Sequence, residues 1–418
     1  MTPQQLDHLF EIFMADHPEF SVKKPIIRSM LDTDAYKLFI TQVVFNQFPE
    51  ANVTFEFINR NNTPFPEGFA DALMKQIKLM ESLRFTEDEI KFISNGYFLK
   101  PNYLAFLKNY QFDSSEIVCS QDGGKLWLTA NGPWYRVSFW EVPLMALISE
   151  LYFKMLKATP DDEWLIRCED KARNMLHACG PTTNRWQGLQ WADFGTRRRF
   201  SYEIQRQVIE AHSQFINPHN AFIGTSNVHF AHKYGLKAVG TQAHEGIMAL
   251  QAKVGFREAN KAWLDAWIKE YHGNFGIALP DTLTSEVFLR DFDSFYARLF
   301  DGLRQDSGDP ITVGETYVKH YQKLGIDPRT KRIIFSDNLN DRKAIAIQHY
   351  FAGQCIPVFG IGTFLTNDVG AKPLNMVIKL VRADFGHGSQ EVVKLSDDTG
   401  KHLGSSRVVE IAKRDLCL

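Results

Sequence analysis

From about residue 190 onward, short apolar runs alternate with longer amphipathic stretches. Trp191–Phe194, Ala221–Gly224, Leu236–Gly240, Gly276–Leu279, Leu299–Leu303, Arg332–Phe335, Ile356–Phe359 and Leu374–Leu380 read as strands ending in small or polar residues. Helical periodicity fills the gaps, as at Ser201–His212, Gly246–Tyr271 and Ile311–Leu324. This rhythm predicts parallel strands joined by right-handed crossovers, and eight of them predict an α/β fold closed into a (β/α) barrel. Before residue 150 the texture differs. Helical patterns mix with short aromatic strands, Val53–Phe57 and Lys125–Leu128 behind the turn signal Asp122-Gly-Gly124, which predicts an α+β domain. Near the C-terminus, Val377–Val381 and Val392–Leu395 predict a hairpin around Gly386-His-Gly388.

The 418 residues are 44% hydrophobic, enough for a sizeable core, and 47 basic against 49 acidic side chains leave a formal charge of -2. That balance excludes a disordered chain, and no basic excess draws it to nucleic acid or to a membrane surface. Cys119, Cys168, Cys179, Cys355 and Cys417 are scattered without a CxxC pair, which argues against a disulfide framework and a thiolate zinc site. The most apolar stretch, Val142–Leu156, carries Ser149, Glu150 and Lys154 and reads as a buried helix rather than a membrane span. The N-terminal stretch lacks the basic start and apolar run of a signal peptide, so a cytoplasmic location is expected.

In a βα barrel, chemistry sits at the C-terminal ends of the strands. Those ends read Asp193-Phe-Gly-Thr-Arg-Arg198, Gly224-Thr-Ser-Asn227, Gly240-Thr-Gln-Ala-His-Glu245, Pro280-Asp281, Arg304-Gln-Asp-Ser-Gly308, Ser336-Asp-Asn338 and Gly360-Ile-Gly-Thr363. Caps and turns explain any one such cluster; the whole succession points to a ligand. Glycine-rich ends that expose backbone N–H groups, with Arg197, Arg198 and Arg304 at other ends, suit phosphate. No GxxxxGK[ST] loop is present, so any ATP use is not of the P-loop kind. His229 and His232 are three apart but lack a third metal ligand nearby.

Together with Leu31-Asp-Thr-Asp-Ala-Tyr-Lys37, Phe335-Ser-Asp-Asn-Leu339 and Val393-Lys-Leu-Ser-Asp397, these motifs closely resemble the nicotinate phosphoribosyltransferase family, from about residue 26 to about 400. The resemblance implies an irregular α/β barrel over 151–380 and a second domain from residues 1–150 and the tail 381–418. It implies an ATP-dependent ligase that joins nicotinate to 5-phosphoribosyl 1-pyrophosphate in NAD salvage, with magnesium, a phosphorylated histidine and active sites shared across a homodimer. His244 matches that histidine, with Asp281 as its orienting carboxylate and Glu245 as second choice. Phe194 and Tyr36 resemble the rings that sandwich the pyridine, Tyr36 coming from the partner subunit. Arg197 and Arg304 fall near the nicotinate and phosphate groups, and Asp306 on the ribose hydroxyls. Gly360, Gly362, Thr363, Ser336 and Asn338 form the 5′-phosphate cradle. Arg60, Lys379 and Lys394 resemble residues that hold ATP or pyrophosphate from the other subunit. Related nicotinamide enzymes carry an aspartate where this chain has Ser226, which favours the acid as substrate.

Overall fold

The apolar positions assemble into two sheets separated by a buried helix. The structure, a computed structural model, describes residues 25–178, 188–215, 221–398 and 401–418; Cys179 lies outside them. The first sheet is antiparallel and uses β1 (Asn52–Asn59), β2 (Ile117–Asp122), β3 (Lys125–Pro133), β10 (Met376–Asp384) and β11 (Gln390–Glu391) in the order β11-β10-β1-β3-β2. Val53, Phe55 and Phe57 alternate into its core face, as a half-buried strand requires. The second sheet is parallel: β4 (Gln190–Asp193), β5 (Ala221–Thr225), β6 (Ile277–Ala278), β7 (Gly302–Gln305), β8 (Arg332–Phe335) and β9 (Ile356–Ile361) in the order β5-β4-β9-β8-β7-β6.

The barrel is irregular and does not close. Leu236–Gly240 contributes a single parallel bridge, Thr225 to Ala238, and among the described residues no ladder joins it to β6. The eighth expected strand leaves the barrel altogether. Its residues belong to β10, which pairs with β1 through Phe57 opposite Ile378 and Glu56 opposite Lys379. The return to the N-terminal layer therefore begins at Met376 and not at 381, because the open edge of β1 accepts the strand. The helix expected over Gly246–Tyr271 is two helices, broken at Gly255, whose φ of 80° is left-handed.

Four helices place the groups that matter below: α1 (Ala35–Gln47), α2 (Glu141–Met155), α3 (Glu245–Val254) and α4 (Phe256–Tyr271). α2 contains the apolar stretch read as a buried helix; it packs on β10 and on the Thr196–Arg198 turn. No helix of the described residues is long and apolar enough to cross a membrane, and Cys119, Cys168, Cys355 and Cys417 are free.

The segment ahead of α1 is pinned to the strand ends by a fully buried ion pair. Arg199 Nη1 and Nη2 donate to Asp32 Oδ1 and Oδ2 at 2.7 and 2.8 Å, and Asn227 Nδ2 donates to Oδ1 at 2.8 Å. Gln205 continues the network, accepting from Arg199 at 3.2 Å and donating to Asp193 at 2.8 Å. Burial alone would raise the Asp32 carboxyl, but the charge and hydrogen bonds of Arg199 outweigh it and hold the group below its usual range. Asp32→Ala strands a buried guanidinium, so urea unfolding should show a loss of about 3–5 kcal/mol. In the unmodified protein the pair's contribution is complete above about pH 4 and declines as pH falls through the lowered folded value. A melting temperature unchanged by the substitution would contradict this reading.

Candidate active site

The ends of the parallel strands converge with the first residues of α1 on a narrow slot of about 10 Å³ that shares Phe194, Arg197 and Arg304 with an adjoining cleft. Asp34, Tyr36, Phe194, Arg197, Ser226, Val239, Gly240, Thr241 and Arg304 line the slot. Tyr36 gets there because the backbone N–H of Ala35 donates to Ser226 O at 2.8 Å and that of Val228 donates to Thr33 O at 2.9 Å. Phe194 follows β4 directly, and its ring lies over Gly360, where a methyl group would overlap it. An aromatic pair at the mouth of a cleft suits a flat ring. At the closed end, Ser226 Oγ donates to Asp34 Oδ1 at 2.7 Å, and Arg197 Nε stands 3.5 Å from Asp34 Oδ2. Burial raises the Asp34 carboxyl, with Arg197 and Ser226 opposing.

The cleft beyond, of about 480 Å³, is strongly cationic. Arg60, Arg197, Arg198, Arg304, Lys379, Lys394 and Lys401 line it, opposed by Asp306 and Asp337. Arg304 is fixed on every side: Nε donates to Ser336 Oγ at 2.8 Å, Nη1 to Thr241 Oγ1 at 2.9 Å and Nη2 to Asp306 Oδ1 at 2.5 Å. Its guanidinium also sits 5.8 Å from the Phe194 ring centre. Burial, then Arg197 and Arg60, lower Arg198 to about 10, and burial, with Arg197 and Lys394 adding, lowers Lys379 to about 8. A wall with more cations than carboxylates, held partly out of water, is a preorganised anion site.

His244 lies on the cleft wall, immediately before α3. Its Nδ1 is 3.0 Å from Thr282 Oγ1, and its Nε2 is 3.1 Å from Asp306 Oδ2 and 3.0 Å from Lys394 Nζ. A neutral ring cannot serve both partners of Nε2 at once. With the proton on Nδ1, donated to Thr282, Nε2 accepts from Lys394 and keeps the lone pair a nucleophile needs.

The structure brings most of the expected residues to this one place, with four differences. Asp281 is not hydrogen-bonded to His244: the shortest approach is 3.9 Å, and Asp281 instead binds Lys394 at 2.9 Å and Ser307 at 2.7 Å. The Thr282 hydroxyl takes the orienting role. Glu245 turns away from the cleft, pairing with Lys37 and accepting from Ser138 Oγ at 2.6 Å, because the first turn of α3 points it at α1. Gly360 supports Phe194 instead of lining the cleft, whereas Gly362, Thr363, Ser336 and Asn338 do line it. Finally, Tyr36, Arg60, Lys379 and Lys394 reach the site within their own chain, since α1, β1, β10 and the segment after β11 all pack against the barrel's open end. Asp34, Thr282 and Lys401 carried no assigned role in the sequence, whereas Arg198 was expected only as a general phosphate-binding charge. Asp34 stands inside a quoted motif; nothing in the local pattern marks Thr282 or Lys401.

For a divalent cation, His244, Asp281 and Asp306 offer ligand atoms within 4.8 Å of one another. The buried Asp281 Oδ1 has no hydrogen-bond partner among the described residues, and carboxylate oxygens suit magnesium. The Lys394 ammonium, within reach of both His244 and Asp281, now neutralises this cluster.

A sequence model described as the Nicotinate phosphoribosyltransferase (NAPRTase) family matches residues 189–418, and one for its N-terminal domain matches 31–149. A nicotinate phosphoribosyltransferase of Desulforapulum autotrophicum is 45% identical over 91% of this chain and 96% of its own. One of Chromohalobacter salexigens is 41% identical over 94% and 99%. The crystal structure of nicotinate phosphoribosyltransferase from Porphyromonas gingivalis superimposes with a TM-score of 0.89 at 40% identity, covering 94% of this chain and all of that one.

The protonation of His244 is directly measurable. Burial first and Lys394 second push its ring down to about 4, against the pull of Asp281 and Asp306. An NMR titration should find a midpoint near that value, and Lys394→Met should move it upward by removing a cation that opposes protonation. A folded value below the unfolded one means that stability falls as pH drops from about 6.5 towards about 4, where only the unfolded chain gains the proton. A midpoint near 6.5 in the unmodified protein would show the ring to be solvated.

Proposed function

The chain belongs to the nicotinate phosphoribosyltransferase family, and on that premise we propose that it joins nicotinate to 5-phosphoribosyl 1-pyrophosphate in NAD salvage, with ATP as co-substrate. Nicotinate mononucleotide and pyrophosphate are the products. The observation that carries the reading is the aromatic slot of Tyr36 and Phe194 adjoining a cleft lined by arginine and lysine.

In this reading the pyridine stacks in the slot with its carboxylate towards Arg197 and Arg304. The ring nitrogen attacks C1′ of the ribose as the C1′–O bond to pyrophosphate breaks, and the electron pair departs with the leaving group. Positive charge grows on the sugar, which Asp306 faces, and negative charge on the leaving group, which Arg60, Lys379 and Lys394 receive. Gly362, Thr363, Ser336 and Asn338 form the opposite wall for the 5′-phosphate. Asp281 and Asp306 would hold a magnesium ion, which would add charge neutralisation at the pyrophosphate.

Base choice follows from the slot. Nicotinate should be used and nicotinamide not, because Ser226 neither repels a carboxylate nor offers one to an amide, and the Asp34 carboxylate that lines the slot is already paired with Ser226 and Arg197. Ser226→Asp places a second carboxylate beside Asp34 and should cut kcat/KM for nicotinate at least about tenfold, or about 1.4 kcal/mol. Product assays with both bases decide; equal use of the two by the unmodified enzyme would refute the assignment.

The role of ATP rests on His244. Nε2 attacks the γ-phosphorus, the bond to the oxygen of ADP breaks, and the phosphoryl group stays on the ring next to the Lys394 ammonium until water cleaves the P–N bond, releasing inorganic phosphate and the free ring. Phosphorylation drives the transfer only if the two forms of the enzyme hold substrates and products with different affinities. γ-Labelled ATP should leave acid-labile, base-stable label on the peptide containing His244. His244→Ala should lose the label and the ATP stimulation while retaining slow, ATP-independent transfer. Full ATP-stimulated turnover in that variant, or label mapping elsewhere, is the contrary result.

A further inference from the structure

Behind the cleft lies a buried row of charges centred on Glu141, which belongs to none of the strand-end motifs. Glu141, the first residue of α2, is 4% exposed. Its Oε2 is 2.5 Å from Lys37 Nζ and accepts from the Tyr36 hydroxyl at 3.4 Å, while its Oε1 faces Lys379 Nζ at 3.9 Å. Lys37 is fully buried on α1 and shares its charge between Glu141 and Glu245, the residue after His244. Glu141 thus touches one ring of the slot and one cation of the cleft without lining either cavity.

We infer that Glu141 is a positioning residue: its carboxylate holds the Lys379 ammonium charged and aimed at the pyrophosphate end of the cleft, with Lys37 neutralising the surplus carboxylate behind it. The assignment rests on the proposed reaction. The charge environment explains why such a group is needed. Arg197 and Lys394 oppose Lys379 from the turn after β4 and the segment after β11, Arg60 and Arg198 line the same cleft, and Asp306 is the acidic group facing it from across the cleft. Glu141 is the carboxylate adjacent to Lys379 on the protein side of the cleft. Removing its charge leaves an ammonium in a cationic, half-dry wall, where it sheds its proton or swings away. The Tyr36 hydroxyl is different, because an amide oxygen accepts from it as a carboxylate does.

That difference sets the test, made on the full chain with magnesium present. Glu141→Gln should raise the KM for the phosphoribosyl donor and the Kd for inorganic pyrophosphate at least fivefold, and shift the KM for nicotinate less than twofold. In a Lys379→Met background the same substitution should change the pyrophosphate Kd less than twofold, because the group it acts through is gone. Should Glu141→Gln fold poorly, Glu141→Asp, which keeps the charge but withdraws it by one methylene, should weaken pyrophosphate binding to a smaller extent in the same Lys379-dependent way. Additive losses in the double variant, an unchanged pyrophosphate Kd, or equal losses for both substrates would overturn the assignment. If the unmodified enzyme neither binds pyrophosphate nor turns over, the proposed reaction itself fails and the assignment with it; normal turnover with additive variants removes only the role of Glu141.

Discussion

The bidentate pair between Asp32 and Arg199 is the contact on which the site depends. Both side chains are fully buried, so neither charge is affordable without the other. The pair locks the residues ahead of α1 onto the ends of β4 and β5, and Asp34 and Tyr36 follow within one turn of chain. Through Gln205 it reaches Asp193, whose carboxyl is raised by burial to about 6 despite the hydrogen bonds of Gln205 and Thr225. The slot is therefore assembled from two distant stretches of sequence by a polar network, not by apolar packing alone. Such a network specifies one register: a shift of a single residue would leave a guanidinium unpaired in the core.

The cleft shows the complementary arrangement, charge that is incompletely paired by design. Arg304 is satisfied on every nitrogen and presents a fixed plane beneath Phe194. Lys379, Arg198 and Arg60 are instead pushed towards neutrality by burial, and the two most buried also by each other's neighbours. An entering anion stabilises the charge they carry. Stability is spent where Asp32 and Arg199 meet; binding strength for phosphate is stored where the cations crowd. Glu141 stands between the two regimes, paired inward with Lys37 and facing Lys379 at the edge of the cleft.

The alternation of apolar runs and amphipathic stretches was sufficient to predict the α/β class, the parallel strands and the place of chemistry at their ends. This is because side-chain periodicity reports which face of an element is buried. The ordered motifs were likewise sufficient for the family, and they contain Phe194, Arg304 and His244, which line one cleft. Periodicity does not report which sheet a strand joins. Met376–Asp384 has the composition of a barrel strand, yet it pairs with β1, because strand pairing is decided by open backbone edges that no local pattern encodes.

Side-chain direction at the site was equally invisible. His244 and Glu245 are adjacent in sequence, but the start of α3 sends one into the cleft and the other towards Lys37 on α1. Asp281 and Thr282 are adjacent as well, and it is the hydroxyl, not the carboxylate, that lies within hydrogen-bond distance of Nδ1. The sequence by itself determined the class of fold, the family and the kinds of group that meet at the strand ends. Tertiary structure alone decided which carboxylate faces which cation, and that Tyr36, Arg60, Lys379 and Lys394 line one slot and cleft with the strand ends. Those outcomes depend on distances between segments up to hundreds of residues apart, and electrostatic pairing is decided by such distances rather than by residue type.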